Sequence, residues 1–375
     1  MTIWLPPEIN ALPETAGGDT LAGQLAAFEA RQPELQIETE IKAAGGQGGA
    51  LSYIIAAGEV APSVLPDLAL LPFELLPIAA GEGAIFPLGG ALNADILEDL
   101  YPAARPVAGP EGQARALPYA LTNLQHLAIS ADAYNGSRIN RLTGLASIED
   151  AAFVYPAAGA AGAQFVLQMY LQAGGALLDE EGRLSLQVEP LAAALAELAA
   201  ARDLGFLSAQ SANLIAIGES WQIYTSGAAN ITLTEAGQYL AAREGGRPSA
   251  ALPAPGIDSP LVPLVRGWAW TLTAREQSRR PAAAELLLWL SQPDNMAAWS
   301  EAAGRLPARR SALRLWASQD GYIRFLSAQL EQAQPFPEAA GTIVLGALSQ
   351  AAFNVLSLQA DPQAAAEEAA ANLTP

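Results

Sequence analysis

PAAAELLLWLSQPDNMAAWSEAAGRLPARRS, residues 281–311, decides how the rest of the chain is read. Pro281 suits a first helical turn, where its missing N–H would have no partner. Leu286, Leu287 and Leu290 recur at helical spacing and give that helix an apolar face. Pro293 stops it. Asp294 or Asn295 opens a second helix with Met296 and Trp299 on one side, and Gly304 closes it as a C′ glycine. An exposed basic turn through Arg309 and Arg310 follows.

Working outward, the opening TIWL (2–5) reads as a strand, and Leu21, Leu25 and Phe28 mark a helix ending near 31–33. Leu35, Ile37, Thr39 and Ile41 alternate with Gln36, Glu38, Glu40 and Lys42, the pattern of a half-buried strand. Pro66-Asp67 leads into the short apolar run LALL (68–71). Strand and helix patterns alternate to about residue 310, an α/β organisation. Beyond it Leu313, Trp316, Phe325, Leu326, Leu330 and an alanine-rich tail read as helical.

Six fragments resemble one family. The 281–311 stretch matches its pattern aaefl.fl.s.en...w....g.lParrs. TIWL is similar to its first strand, AAGEVAPSVLPDLALL (56–71) to aaG..PDv, GQARALPYA (112–120) to the hairpin Gk.yglPya, AGGALLDEEGRL (173–184) to aaGG.l.d.dG, and YTSGAANI (224–231) to f.sG.aam. The family is the extracellular solute-binding proteins (family 1) of ABC importers, the maltose-binding-protein-like sugar binders. The resemblance implies a two-lobed, periplasmic-binding-protein-like fold of type II, each lobe a mixed sheet flanked by helices, with a mainly helical C-terminus. By analogy the chain crosses between lobes near 118–125 and 260–267. Lobe one is then 1–122 plus 267–312, and lobe two 123–266 plus 313–375.

Composition sets the exclusions. With 375 residues the chain is long enough for two or three domains and needs no staples. It has no cysteine, which removes disulfides, thiolate catalysis and cysteine metal sites. His126 is the lone histidine, so no multi-histidine site exists. A net charge of −19 excludes the basic stripe nucleic acid requires and disfavours an anionic membrane surface. The 51% apolar fraction is inflated by alanine, and no run approaches the ~20 residues of a membrane span. TIWL follows Met1 without a leader-like segment; the resemblance implies an extracytoplasmic protein, periplasmic or a cell-surface lipoprotein, whose leader is absent from this chain.

The implied site is the cleft between lobes, where sugar recognition needs flat aromatic faces and planar polar groups. Trp268 and Trp270 lie one strand alternation apart after the second crossing; Trp268 is the expected platform, Trp270 a second platform or core. Glu8 follows the first strand, Phe73 and Glu74 follow the LALL strand, and Gln47 sits in GGQGG. Tyr119, Asn123 and Gln125 surround the first crossing. The small-residue segment 155–165 suggests backbone approach to a ligand, with Gln164 as its polar side chain. Glu235 lies in TLTEAG (232–237), which follows the 224–231 strand pattern but lacks the tryptophans of maltose-binding protein. Arg305, Arg309 and Arg310 read as structural or solvated, with pairing to carboxylates of the other lobe as an option.

The expected function is a monomeric, cofactor-free sugar or oligosaccharide carrier that closes on its ligand and docks on ABC permease subunits. Alternatives are another small polar solute (polyol, glycerol phosphate, peptide) or a sensing module for a membrane receptor. A glycosidase would need two carboxylates about 5 or ~6.5–9.5 Å apart, and no motif supports one.

Overall fold

The computed structural model describes the whole chain except residues 10, 59, 62, 63, 90, 91, 111, 244, 318, 374 and 375. Three residues of the 56–71 pattern, Glu59, Pro62 and Ser63, therefore lie outside the described residues. The chain forms two compact units: Met1–Thr122 with Val265–Pro335, and Asn123–Leu264 with Phe336–Pro375.

In chain order the first unit contributes β1 (Thr2–Leu5), β2 (Glu38–Ile41), β3 (Leu68–Pro72) and β4 (Ala116–Thr122). The second contributes β5 (Gln125–Ser130), β6 (Phe153–Val154), β7 (Ile231–Glu235) and β8 (Ser249–Pro253). The chain then returns through β9 (Leu264–Leu272), β10 (Leu306–Pro307) and β11 (Gln334–Pro335).

The first unit's sheet runs β10-β4-β9-β3-β1-β2, with β11 also on β9. Strands β1, β2 and β3 are mutually parallel, whereas β9 is antiparallel to both β3 and β4. The run LALLP of β3 is buried along its whole length, as a central strand covered on both faces must be. One face packs Trp4, Ala69, Leu71 and Ala269 against Leu51 and Ile54 of the helix Ala50–Ala57. On the other, Trp270 sits opposite Leu70 and meets Tyr119, which itself stacks on Trp299 of the helix Pro293–Ala302.

The second unit's sheet runs β6-β7-β5-β8. Its core joins Leu127, Ile129, Ile231 and Leu233 to Phe165, Met169 and Tyr170 of the helix Ala160–Gln172. The alanine-rich tail forms the helix Pro362–Ala371, with Asp361 capping Ala364 N at 2.8 Å. Ala365, Ala366 and Ala369 lie buried in that core, where methyl groups allow close helix contact.

Several local expectations change. The 35–42 segment yields only the four-residue β2, and all four residues are exposed. β2 is the edge of its sheet, and Glu38, Glu40 and Lys42 blunt that edge rather than alternate with a buried face. The 112–120 stretch is no hairpin: β4 pairs with β9 and β10, which lie far along the chain. Residues 232–235 do not follow a strand but form most of β7.

Residues 313–335 belong to the first unit, not to the second as expected. The arginine turn explains this. The Arg310 guanidinium forks onto both oxygens of Glu331, at 2.5 and 2.7 Å, and donates to Leu100 O and Glu98 O. Glu331 lies in the helix Gly321–Gln332, so this bidentate pair pins that helix to the first unit. Arg309 donates to Asp99 Oδ2 at 2.7 Å and to Ser291 O at 2.7 Å, and Arg305 donates to Glu8 O at 2.7 Å. All three arginines thus bond inside their own unit. The Arg310 bond also holds the Glu331 carboxyl below its ordinary pKa.

Arg310→Ala leaves two backbone carbonyls and a carboxylate without their donor, and its expected cost is about 2 kcal/mol in urea denaturation. Glu331→Gln keeps one of the two bonds and costs less. Equal effects, or none, would contradict the pinning role.

Candidate functional site

Because β1, β2 and β3 are parallel, their carboxyl ends share one edge of the first sheet. Antiparallel β9 begins at that edge and β4 ends there, with Thr122 opposite Arg266. The edge collects half of the sequence candidates. Glu8 is exposed in a single 3-10 turn after β1. Gln47 is exposed at a tight turn after β2, closed by Gly49 N to Gly46 O at 3.1 Å, with Gly46 and Gly48 at φ 83° and 78°. Phe73 and Glu74 open the 3-10 turn after β3. Trp268, half-buried, lies opposite Pro72 and Ala120.

These groups are mutually fixed. The Phe73 ring lies against Gly267, where an added Cβ would sit 2.4 Å from Phe73 Cζ and 2.7 Å from Ala120 O. Only glycine permits that approach, so Gly267 sets the ring's place against the backbone of β9, on the face that Ala269 shares. Glu74 Oε1 accepts from Arg266 Nη1 at 3.4 Å, tying the β3 turn to the start of β9. Lys42, directly after β2, stands 3.5 Å over the Trp4 ring and 4.7 Å from that of Tyr53, and pairs with Glu40 at 3.2 Å. Arg266 and Lys42 were not singled out from sequence. The one available signal was that Lys42 is the sole lysine, placed at a strand end.

Two candidates on this unit lie in the interior instead. Trp270 is fully buried and Tyr119 is 1% exposed. An irregularity in β4 between Pro118 and Ala120 turns the Tyr119 ring onto Trp270 and Trp299, at 5.6 and 4.6 Å between centroids. A ligand contact needs an accessible atom, so both support the platform rather than form it. The two share a face of β9, but Trp270 pairs with Leu70 and Leu117 in mid-sheet, whereas Trp268 pairs with Pro72 and Ala120 near the strand ends.

In the second unit, β5 starts and β7 ends at one edge, with Gln125 opposite Glu235. Asn123 adopts φ 61°, a left-handed conformation asparagine tolerates better than most residues. Its Nδ2 donates to Glu235 Oε1 at 3.4 Å, and both residues are half-buried. Gln125 is buried, and its Nε2 donates to Ala161 O at 2.7 Å. Gln164, 2% exposed, donates to Asn123 O at 2.9 Å and to Leu264 O at 3.1 Å. Its amide is therefore committed to backbone. The small residues of 155–165 serve packing rather than ligand approach: an added Cβ would lie 1.8 Å from Ile215 O at Gly159 and 2.2 Å from Pro156 O at Gly162.

His126 is wholly buried beside Tyr239, and burial pushes its pKa down to about 4, so it is neutral near pH 7. A polar cavity of about 710 Å³ lies at the opposite end of the second sheet, lined by Ser130, Asp132, Asp150, Asn230 and Arg247 among others. None of the sequence candidates lines it. Among the described residues no three acidic, histidine or cysteine side chains group to hold a metal, and no helix is long and apolar enough to cross a membrane.

The sequence pattern of the family described as bacterial extracellular solute-binding proteins matches residues 24–323. Among curated proteins none matches. Solved structures share the fold along essentially the whole chain. The cyclic alpha-maltosyl-1,6-maltose binding protein of Arthrobacter globiformis is 18% identical, with TM-score 0.76, over 100% of this chain and 97% of that one. The sugar-binding protein MalE of Xanthomonas citri is 18% identical, with TM-score 0.77, over 99% and 95%. The GacH receptor of Streptomyces glaucescens, solved unliganded and with acarbose, is 17% identical, with TM-score 0.72, over 99% and 96%.

Two outcomes test this geometry. Gly267→Ala forces its Cβ into the Phe73 ring, at an expected cost of about 1–3 kcal/mol; Phe73→Leu in the same chain recovers part of it, whereas additive losses would show that the two do not touch. Unfolded histidine takes a proton near pH 6.5, and folded His126 resists until about 4. Between those values the unfolded state binds more protons, so stability falls as pH falls, by up to about 3 kcal/mol, and levels off below. Urea titrations across that window should show a shallower loss for His126→Gln; identical slopes would contradict the burial.

Proposed function

The chain belongs to the bacterial extracellular solute-binding proteins, a family of binders rather than enzymes, and from that premise we propose that it carries a neutral sugar or oligosaccharide for an ABC importer. The observation that supports this best is the edge of the first sheet, where half-buried Trp268 lies opposite Pro72 and the turn carrying Phe73 and Glu74 follows directly. Aromatic faces suit the C–H side of a sugar ring, and planar carboxylate and amide groups suit its hydroxyls.

In this reading Trp268 is the stacking platform and Phe73, in the turn after β3, is a second aromatic contact. Glu74, Glu8 and Gln47 from the first unit, and Asn123 and Glu235 from the second, meet hydroxyls. Tyr119, Trp270 and Gln164 are supports. One ligand engages groups of both units, and the units close on it about the two crossings, presenting a closed form to the permease. The protein works outside the cytoplasm, in the periplasm or at the cell surface, as a monomer.

Charge favours a neutral ligand over a phosphorylated one. The cations at the first edge are already matched, Lys42 by Glu40 at 3.2 Å and Arg266 by Glu74 at 3.4 Å. Two of these structural relatives are described with cyclic alpha-maltosyl-1,6-maltose or with acarbose, which makes maltodextrins and acarbose the first panel to try.

Calorimetry with maltose, maltotriose, maltotetraose and acarbose should find one site for at least one of them. Trp268→Ala should weaken it tenfold or more, with the melting temperature of the free protein little changed. Heat or thermal shift with glycerol phosphate or a peptide, and none with any saccharide, would overturn the assignment.

A further inference from the structure

Three glutamines spaced by four, Gln164, Gln168 and Gln172, form one stripe on the helix Ala160–Gln172. All three bond the same neighbouring backbone. Gln172 donates to Ser259 O at 3.0 Å and accepts from Ile257 N at 2.7 Å. Gln168 donates to Val262 O at 2.9 Å. Gln164 donates to Leu264 O at 3.1 Å and, with the same nitrogen, to Asn123 O at 2.9 Å.

The sequence of that backbone explains why side chains do this work. Pro260 and Pro263 carry no N–H, so the segment before β9 cannot build a regular ladder. Carbonyls left without a ladder partner, of which Leu264 O is buried, take donors from the glutamine amides. The final rung differs from the other two. Asn123 and Leu264 are the first and last residues of the second unit's main segment, so Gln164 ties together the two places where the chain crosses. Asn123 is also the residue held at φ 61°, with its side chain on Glu235.

We propose that Gln164 is a positioning residue of the ligand site: by bonding Asn123 O and Leu264 O with one amide it holds Asn123 left-handed and so aims the Asn123–Glu235 pair. It touches no ligand itself, since its side chain is buried. The ligand role rests on the carrier reading above; the fastening of the two crossings does not.

The test compares Gln164→Leu with Gln172→Leu, which also removes amide bonds but has no link to Asn123. Gln164→Met, of similar length, replaces the leucine variant if that does not fold. In hydrogen exchange of the unliganded protein, Gln164→Leu should speed exchange about tenfold in peptides covering both 121–127 and 262–268. Gln172→Leu should do so only around 256–261. With maltotriose as probe, Gln164→Leu should weaken binding tenfold in the wild-type background and not at all in an Asn123→Ala background, because it acts through Asn123. Unchanged exchange at 121–127 overturns the fastening. Equal losses of affinity with and without Asn123 overturn the positioning. If the wild-type protein binds no maltotriose or other saccharide, the carrier reading and the ligand role fall together, and exchange alone decides whether Gln164 fastens the crossings.

Discussion

Strand β9 is the constraint on which the rest depends. It begins at Leu264, the last residue of one unit's main segment, and then runs through the middle of the other unit's sheet, hydrogen-bonded to β3 on one side and β4 on the other. A strand paired on both sides and covered on both faces cannot slip by one residue without exchanging its two buried faces. That register buries Trp270, leaves Trp268 half-buried near the edge, and brings Gly267 against Phe73. The placement of the aromatic platform is thus a consequence of sheet pairing, not of loop conformation.

The two sheet edges share a logic although their chemistry differs. The first offers aromatic faces and carboxylates at the ends of parallel strands. The second offers an amide and a carboxylate, Asn123 and Glu235, held by the helix behind them. Rigid elements position each set, which is what low-entropy recognition of a flexible polyhydroxylated solute requires. The polar cavity at the far end of the second sheet has no assigned part.

Much of the architecture was legible because it rests on local periodicity. Leu21, Leu25 and Phe28 mark a real helix face, and Leu286, Leu287 and Leu290 another. What escaped depends on partners distant in sequence. The 35–42 alternation looked half-buried, but only pairing tells an edge strand from an interior one. Arg310 read as structural or solvated, and its partner Glu331 could not be named because it lies on a helix distant in sequence. Gln164 read as a ligand group because its true partners, two backbone carbonyls, leave no trace in side-chain patterns. Lys42 over Trp4 was missed because a cation above a ring has no sequence motif.

A crystal structure with a bound saccharide tests the central claim most directly. The account predicts a sugar ring lying on the Trp268 indole, with hydroxyls meeting Glu74 from one unit and Asn123 or Glu235 from the other. A saccharide bound elsewhere, for example in the cavity beside Asp132 and Arg247, with Trp268 uncovered, would contradict it.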